Sequence, residues 1–284
     1  MWLRRYSDPV DPQVRLVCFP HAGGAASAYA HWAAALPPTW RLDAVKYPGR
    51  EDRFVDPPSA SLEDMAQDIA AELAPAACAV LPEAGSPPPA EPDVPCVLFG
   101  HSMGSFLAYE VASLRQEAHR RVDLLVVSGA APHIDPDAMT GRITDDPSTG
   151  ELLESQLLDI DPDSSLALSD PELRGYVLRT LSCDLDLLAH HRLSGTVLDG
   201  VPMLALNGRD DIHNRLEEVV AWSKLTTGPF AQWVFPGGHF YLRDQMAPVI
   251  RSIESALTLS RLVKANSISR HVDRPEETGP RRGV

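Results

Sequence analysis

A mainly parallel β-sheet with helices on both faces is the architecture this 284-residue chain predicts. Apolar runs of strand length alternate with helical patterns, the order that a parallel sheet with crossover helices requires. One run, Cys96-Val97-Leu98-Phe99-Gly100-His101-Ser102-Met103-Gly104, passes directly into a helical pattern through Phe106, Leu107, Val111 and Leu114. It carries G-x-S-x-G at its end, and strand, sharp turn and helix in succession make a nucleophile elbow. Such a turn strains the serine backbone, while the flanking glycines let strand and helix approach without a Cβ clash. Ser102 is the candidate nucleophile, presented at the carboxyl edge of the sheet.

The other elements follow in chain order. Residues 15–19 form a buried-strand run that ends in Pro20-His21-Ala22-Gly23-Gly24. A helical stretch through Tyr29, Trp32 and Leu36 stops at Pro37-Pro38, and a strand near Arg41 to Val45 leads into Tyr47-Pro48-Gly49-Arg50. Ser61 reads as an N-cap, with Glu63 and Asp64 in the first turn of a helix through Met65, Ile69 and Leu73. The proline-rich stretch 82–95 sustains neither helix nor ladder and reads as an exposed loop. Val122 to Val127 is a further apolar strand core.

Residues 133–199 lack β-patterning. Leu152, Leu153, Leu157 and Leu158 form one expected amphipathic face; Leu173, Val177, Leu178, Leu181, Leu185 and Leu188 form another. Lying between strands, this block is expected to be a mobile helical lid over the sheet's carboxyl edge, where folds of this class place their sites. Strands resume at Met203–Leu206 and Gln232–Phe235, and Met246, Val249, Ile250, Ile253 and Leu257 mark a closing helix. One α/β domain over 1–263 and a disordered tail over 264–284 are expected.

Composition narrows the function. No apolar run approaches a membrane span, and Met1 to Gln13 lacks the apolar core of a signal peptide. The net charge of −14 argues against nucleic acid as a partner. Residues 261–284 hold six Lys/Arg against three Asp/Glu, leaving about −17 on the first 260. Cys18, Cys78, Cys96 and Cys183 are scattered without metal-ligand spacing, and Cys18 and Cys96 fall inside strands. A reduced, cytoplasmic protein without metal or cofactor is the expectation.

A serine needs a base, and the base needs an acid to fix its tautomer. On an elbow fold these follow the serine in the order acid, then histidine. Met203-Leu204-Ala205-Leu206-Asn207-Gly208-Arg209-Asp210-Asp211 leaves an acid at a strand end, and Phe235-Pro236-Gly237-Gly238-His239 leaves a histidine after a glycine turn. A tetrahedral oxyanion needs backbone donors. One is expected from Met103, after the nucleophile, and the other from the loop His21-Ala22-Gly23-Gly24. Packing behind the reacting groups is the expected role of His21 and His101.

Phe19-Pro20-His21-Ala22-Gly23-Gly24, Tyr47-Pro48-Gly49-Arg50, Gly100-His101-Ser102-Met103-Gly104, Gly208-Arg209-Asp210-Asp211 and Gly237-Gly238-His239-Phe240 together resemble the type II (external) thioesterases. These are stand-alone editing enzymes of polyketide synthases and nonribosomal peptide synthetases, in the α/β-hydrolase superfamily. The resemblance covers about residues 15 to 257. It implies Ser102 as nucleophile, Asp211 as acid, His239 as base, and an oxyanion hole from the Ala22 and Met103 amides. It also implies an acyl group on the phosphopantetheine arm of an acyl or peptidyl carrier protein as substrate.

Three other readings compete. A triad equally serves an esterase or lipase acting on oxygen esters. A macrocyclising domain would end a larger synthase, whereas this chain is expected to stand alone. A non-catalytic binding module on the same fold would lack a triad member. An acidic carrier would have to meet a local basic cluster at the mouth of a channel near Tyr47–Arg50, with Arg50 and Arg53 as candidates.

Overall fold

The computed structural model describes residues 1–74, 94–133 and 147–272. Seven strands form one sheet among them: β1 Leu3–Ser7, β2 Val14–Phe19, β3 Trp40–Val45, β4 Cys96–His101, β5 Leu124–Ser128, β6 Met203–Gly208 and β7 Phe230–Phe235. Their spatial order is β1-β3-β2-β4-β5-β6-β7. Every neighbouring pair is parallel except β1 with β3. The helices are α1 Trp32–Ala35, α2 Leu62–Leu73, α3 Met103–Glu117, α4 Pro147–Ile160, α5 Ser165–Leu168, α6 Pro171–His190, α7 Leu216–Val219 and α8 Met246–Val272.

The apolar runs become strands because both faces are covered. β4, β5 and β6 are buried along their whole length. One layer of core packs α2 and α3 on the sheet through Leu62, Met65, Ile69, Leu107 and Val111. The opposite layer seats Tyr29, Trp32, Val249, Ile253 and Leu257. Cys18 and Cys96 are buried within β2 and β4.

Strand register decides where chemistry can occur. Phe19 pairs with Gly100, His101 with Ser128, Ser128 with Leu206, and Gly208 with Phe235. The loops that leave β2, β4, β6 and β7 therefore emerge together along one edge. α4, α5 and α6 lie between β5 and β6 in sequence, as the helical insertion expected there.

Several local expectations change. β1 carried no β-pattern in the sequence because its arginines face outward from an edge: Arg5 joins Arg15 and Arg41 around the buried Asp43 carboxylate. The expected helix over Tyr29–Leu36 is a 3-10 turn, Ala26–Tyr29, followed by the four-residue α1. Leu36 is extended, as a residue before proline prefers. Ser61 caps α2, accepting the Asp64 amide at 3.0 Å. Leu152 and Leu173 lie outside the faces assigned to them and are about half exposed, at 48% and 51%. α8 continues to Val272, past the tail boundary expected near 263. Its apolar stripe ends at Leu257, but a nucleated helix propagates without a buried face. The expectations for Cys78, for most of the 82–95 loop, for part of the insertion and for the end of the tail fall in 75–93, 134–146 and 273–284, outside the described residues.

Candidate active site

Ser102 sits between β4 and α3 with φ 54° and ψ −122°, the strained conformation expected of an elbow. Both glycines of the motif are forced by close approach. A Cβ on Gly100 would collide with the Gly104 carbonyl and Ser105 Cα, and one on Gly104 with the carbonyls of Phe19 and Pro20. The Ser102 amide donates to Ser128 O at 2.7 Å. Ser105, which no sequence signal singled out, is buried beneath the turn. Its hydroxyl lies 3.0 Å from Gly100 O and 3.1 Å from Ser128 O, and accepts the Ser128 amide at 3.0 Å. The elbow is thereby fastened to β5.

The loops after β6 and β7 bring the acid and the histidine together. His239 Nδ1 is 2.9 Å from Asp211 Oδ2, with that carboxylate fully buried. Asp211 also accepts the His213 amide at 3.0 Å and Asn214 Nδ2 at 3.2 Å. Burial alone would raise the Asp211 carboxyl; the His239 hydrogen bond and these two donors outweigh it and hold the group below its ordinary value. With a carboxylate at Nδ1, that nitrogen carries the proton and Nε2 is the basic atom. Asp210 faces elsewhere, accepting the Gly237 amide at 3.3 Å. A Cβ on Gly208 would meet the Gly237 and Gly238 carbonyls, so these two loops touch through backbone.

Asn214 escaped the sequence reading. It holds Asp211 on one side and accepts the Ala131 amide at 3.2 Å on the other. An asparagine three residues after an acid gives no signal of its own.

The two other histidines near the elbow, His101 and His21, are packed among neighbouring side chains. His101 Nδ1 lies 2.9 Å from Ser128 Oγ, which contacts Tyr241 OH at 2.7 Å. The His101 ring stands 4.9 Å from the His239 ring, which places His239 beside the elbow. Burial, then the neighbouring His239, pushes His101 well below the ordinary imidazole value. Burial likewise lowers His21 to about 3, and its ring stands edge-on to Phe240 at 4.7 Å. Among the described residues no hydrogen bond joins Ser102 to His239. Contacts of this kind commonly tighten only with substrate bound.

Of the two expected donors, Met103 follows the serine in sequence and Ala22 lies on the loop that leaves the neighbouring strand β2. The Met103 amide opens the 15-residue α3, so its N–H has no intrahelical partner and lies at the positive end of the helix dipole. Ala22 lies in the turn after β2, whose preceding carbonyls, Phe19 and Pro20, face Gly104. A trans peptide turns N–H and C=O opposite ways. The His21 carbonyl accepts the Gly24 amide at 2.9 Å inside the turn, so the Ala22 N–H points outward from it.

A thioesterase domain profile matches residues 14–257 of the sequence. The chain belongs to the thioesterase family. Thioesterase PikA5 of Streptomyces venezuelae is 32% identical to it over 92% of this chain and 87% of its own length. The type II thioesterase BorB from the borrelidin biosynthetic cluster superposes with a TM-score of 0.67 at 30% identity, over 90% of this chain and 97% of its own. YbtT, the type II thioesterase from the yersiniabactin NRPS/PKS pathway, does so with a TM-score of 0.72 at 25% identity, over 92% and 99%. The resemblance carried by the motifs and the α/β-hydrolase architecture both hold. The thioesterase is a hydrolase of thioesters.

The arginines expected at a docking rim are engaged elsewhere. Arg50 is 4% exposed and forks onto Asp184 of α6 at 2.7 and 2.8 Å. Arg53 bonds Asp56 at 2.7 Å and Lys46 O at 3.0 Å while covering the Trp2 ring. Arg50 is held by a buried carboxylate, and Arg53 by the exposed Asp56 carboxylate and a backbone carbonyl.

Proposed function

We propose that this thioesterase removes acyl groups from the phosphopantetheine arm of acyl or peptidyl carrier proteins, clearing stalled units from a modular synthase. The observation that carries the reading is the His239–Asp211 pair at 2.9 Å beside a positive-φ serine. Ser102 Oγ attacks the thioester carbonyl as His239 Nε2 takes its proton, and Asp211 stabilises the imidazolium. The Ala22 and Met103 amides bind the oxyanion. Collapse breaks the C–S bond, and the pantetheine sulfur leaves with the proton from His239. Water, deprotonated by the same imidazole, then attacks the acyl-serine ester and releases a carboxylic acid. Side chains and backbone amides of this chain suffice for every step, so the reading calls for no cofactor.

Relatives support the substrate class. YbtT is described with an NRPS/PKS pathway, and GrsT of Aneurinibacillus migulanus, 26% identical over 87% of this chain, as a gramicidin S biosynthesis protein. A cleft of about 250 Å³ opens between the Tyr47–Ser59 segment and α6, lined by Pro48, Phe54, Tyr176, Cys183 and Leu187. Its size suits a slender arm better than a folded carrier; its lining includes Arg50 and Asp184 but not Ser102, Asp211 or His239. No described helix is long and apolar enough to cross a membrane; the cytoplasm, with the synthase, is where this reading places the enzyme.

The test is hydrolysis of acylated carrier proteins beside matched small thioesters and oxygen esters. The reading expects kcat/KM on carriers to exceed that on small thioesters by about tenfold or more, through binding of the arm and carrier. Preference for oxygen esters, or no advantage for carriers, would overturn it.

A further inference from the structure

Two segments of the sequence, Tyr47-Pro48-Gly49-Arg50 and the middle of α6, meet at the loop that carries Ala22. Arg50 Nη1 donates to Asp184 Oδ2 at 2.8 Å and to Gly24 O at 2.7 Å, and Nη2 donates to Asp184 Oδ1 at 2.7 Å. Asp184 Oδ2 also accepts the Gly23 amide at 2.7 Å. Asp184 is 2% exposed and Arg50 4%, so the bidentate pair and its bond to the buried Gly24 carbonyl are shielded from water, while Gly23 itself lies at the surface. Leu181, almost one turn earlier in α6, packs over Gly23, whose φ of +75° suits glycine.

We propose that Arg50 and Asp184 are positioning residues through which the helical insertion sets the Ala22 oxyanion donor. The inference rests on the reading of Ser102 as nucleophile. With the Gly23 amide held by Asp184, the Gly24 carbonyl held by Arg50 and the His21 carbonyl occupied by the Gly24 amide, the peptide carrying the Ala22 N–H has no freedom to flip. The two donors thus have unlike supports. Met103 belongs to the elbow, fixed by the sheet and α3. Ala22 is fixed from across the edge by a helix of the insertion. The oxyanion hole is complete only while α6 is seated, whereas the His239–Asp211 pair forms without it.

A kinetic signature separates this role from a purely structural one. Asp184→Ala, and the shape-preserving Asp184→Asn, are expected to lower kcat on a small thioester about 10- to 100-fold, with KM within about threefold, as loss of a transition-state donor does. Affinity for an alkyl boronic acid, which forms a tetrahedral adduct on serine, falls by the same factor. The midpoint of the pH–kcat profile stays in place, because the base and its acid are untouched. Arg50→Lys, which keeps the charge and loses the fork, behaves like Asp184→Asn. Circular dichroism and melting establish that each variant is folded; where Asp184→Ala is not, the Asn and Lys variants decide.

Several results overturn the proposal. These are unchanged kcat in folded Asp184→Asn and Arg50→Lys, a rise in KM alone, or boronate affinity equal to the parent's. Ser102→Ala assayed in parallel isolates the underlying reading: if it turns over at the parent rate, the serine mechanism falls and the clamp with it. If it is inactive while the clamp variants are normal, only the clamp falls.

Discussion

The carboxyl edge of the sheet and the helical insertion are held by different forces. At the edge, β4, β5 and β6 are wholly buried, and Gly100, Gly104 and Gly208 let backbone meet backbone with no side chain between. The insertion has a small core of its own, Leu153, Leu168, Leu178 and Leu181. Leu188 at the end of α6 reaches the main core, and several polar contacts also tie the insertion to the body. Asp184 meets Arg50, Asp161 takes both prongs of Arg243 at 2.6 and 2.8 Å, and the buried His191 at the end of α6 lies between Glu63 and Glu110. Parts held by close-packed backbone cannot shift without unfolding the domain. Parts held by a few ion pairs and a narrow apolar seam can open locally at lower cost. Ser102, Asp211 and His239 are of the first kind; the Ala22 loop is shared with the second.

The sharpest way to probe the edge is Ser102→Ala. Loss of the hydroxyl should lower turnover on the order of 10⁴-fold or more while leaving the melting temperature near the parent's. Near-normal hydrolysis by the purified variant would remove the serine from the mechanism. Next in size is Asp211→Asn, expected to cost about 10⁴-fold by favouring the wrong imidazole tautomer. Asp210→Asn should stay within a few-fold, since the Asp210 carboxylate accepts the Gly237 amide and not the His239 ring. The reverse ranking in steady-state assays would reassign the acid.

Much of the edge could be read from sequence because its demands are local. A strained turn needs Gly100 and Gly104, a strand end needs an acid, and a glycine turn releases His239. The G-x-x-D spacing with family resemblance selected Asp211, which the geometry places on His239. Contacts distant in sequence were not legible. Arg50 read as a surface arginine because its partner lies 134 positions away in α6. Ser105 and Asn214 carry no motif, and their value appears only when β5 and the loop after β6 come together. β1 was silent because an edge strand rich in paired charge lacks apolar alternation.

The smallest effect is a pH dependence confined to the insertion side. Burial alone would lower His191, but Glu110 and Glu63 outweigh it and hold the imidazole above its ordinary value. A raised folded value means that the stabilisation is complete below about pH 6.5, the unfolded value, and fades as pH rises through the folded one. His191→Gln should therefore melt lower than the parent at pH 6, with the gap narrowing by pH 8.5. A gap that widens with pH in thermal scans would show that His191 is held neutral instead.

The central claim is that the acyl group passes through Ser102. Rapid-quench intact-mass analysis of the enzyme mixed with an acylated carrier protein tests it most directly. A transient mass gain equal to the acyl group, mapped by digestion to the peptide containing Ser102 and absent from Ser102→Ala, is the predicted result. An adduct on any other residue, or undiminished release of free acid by Ser102→Ala, would contradict it.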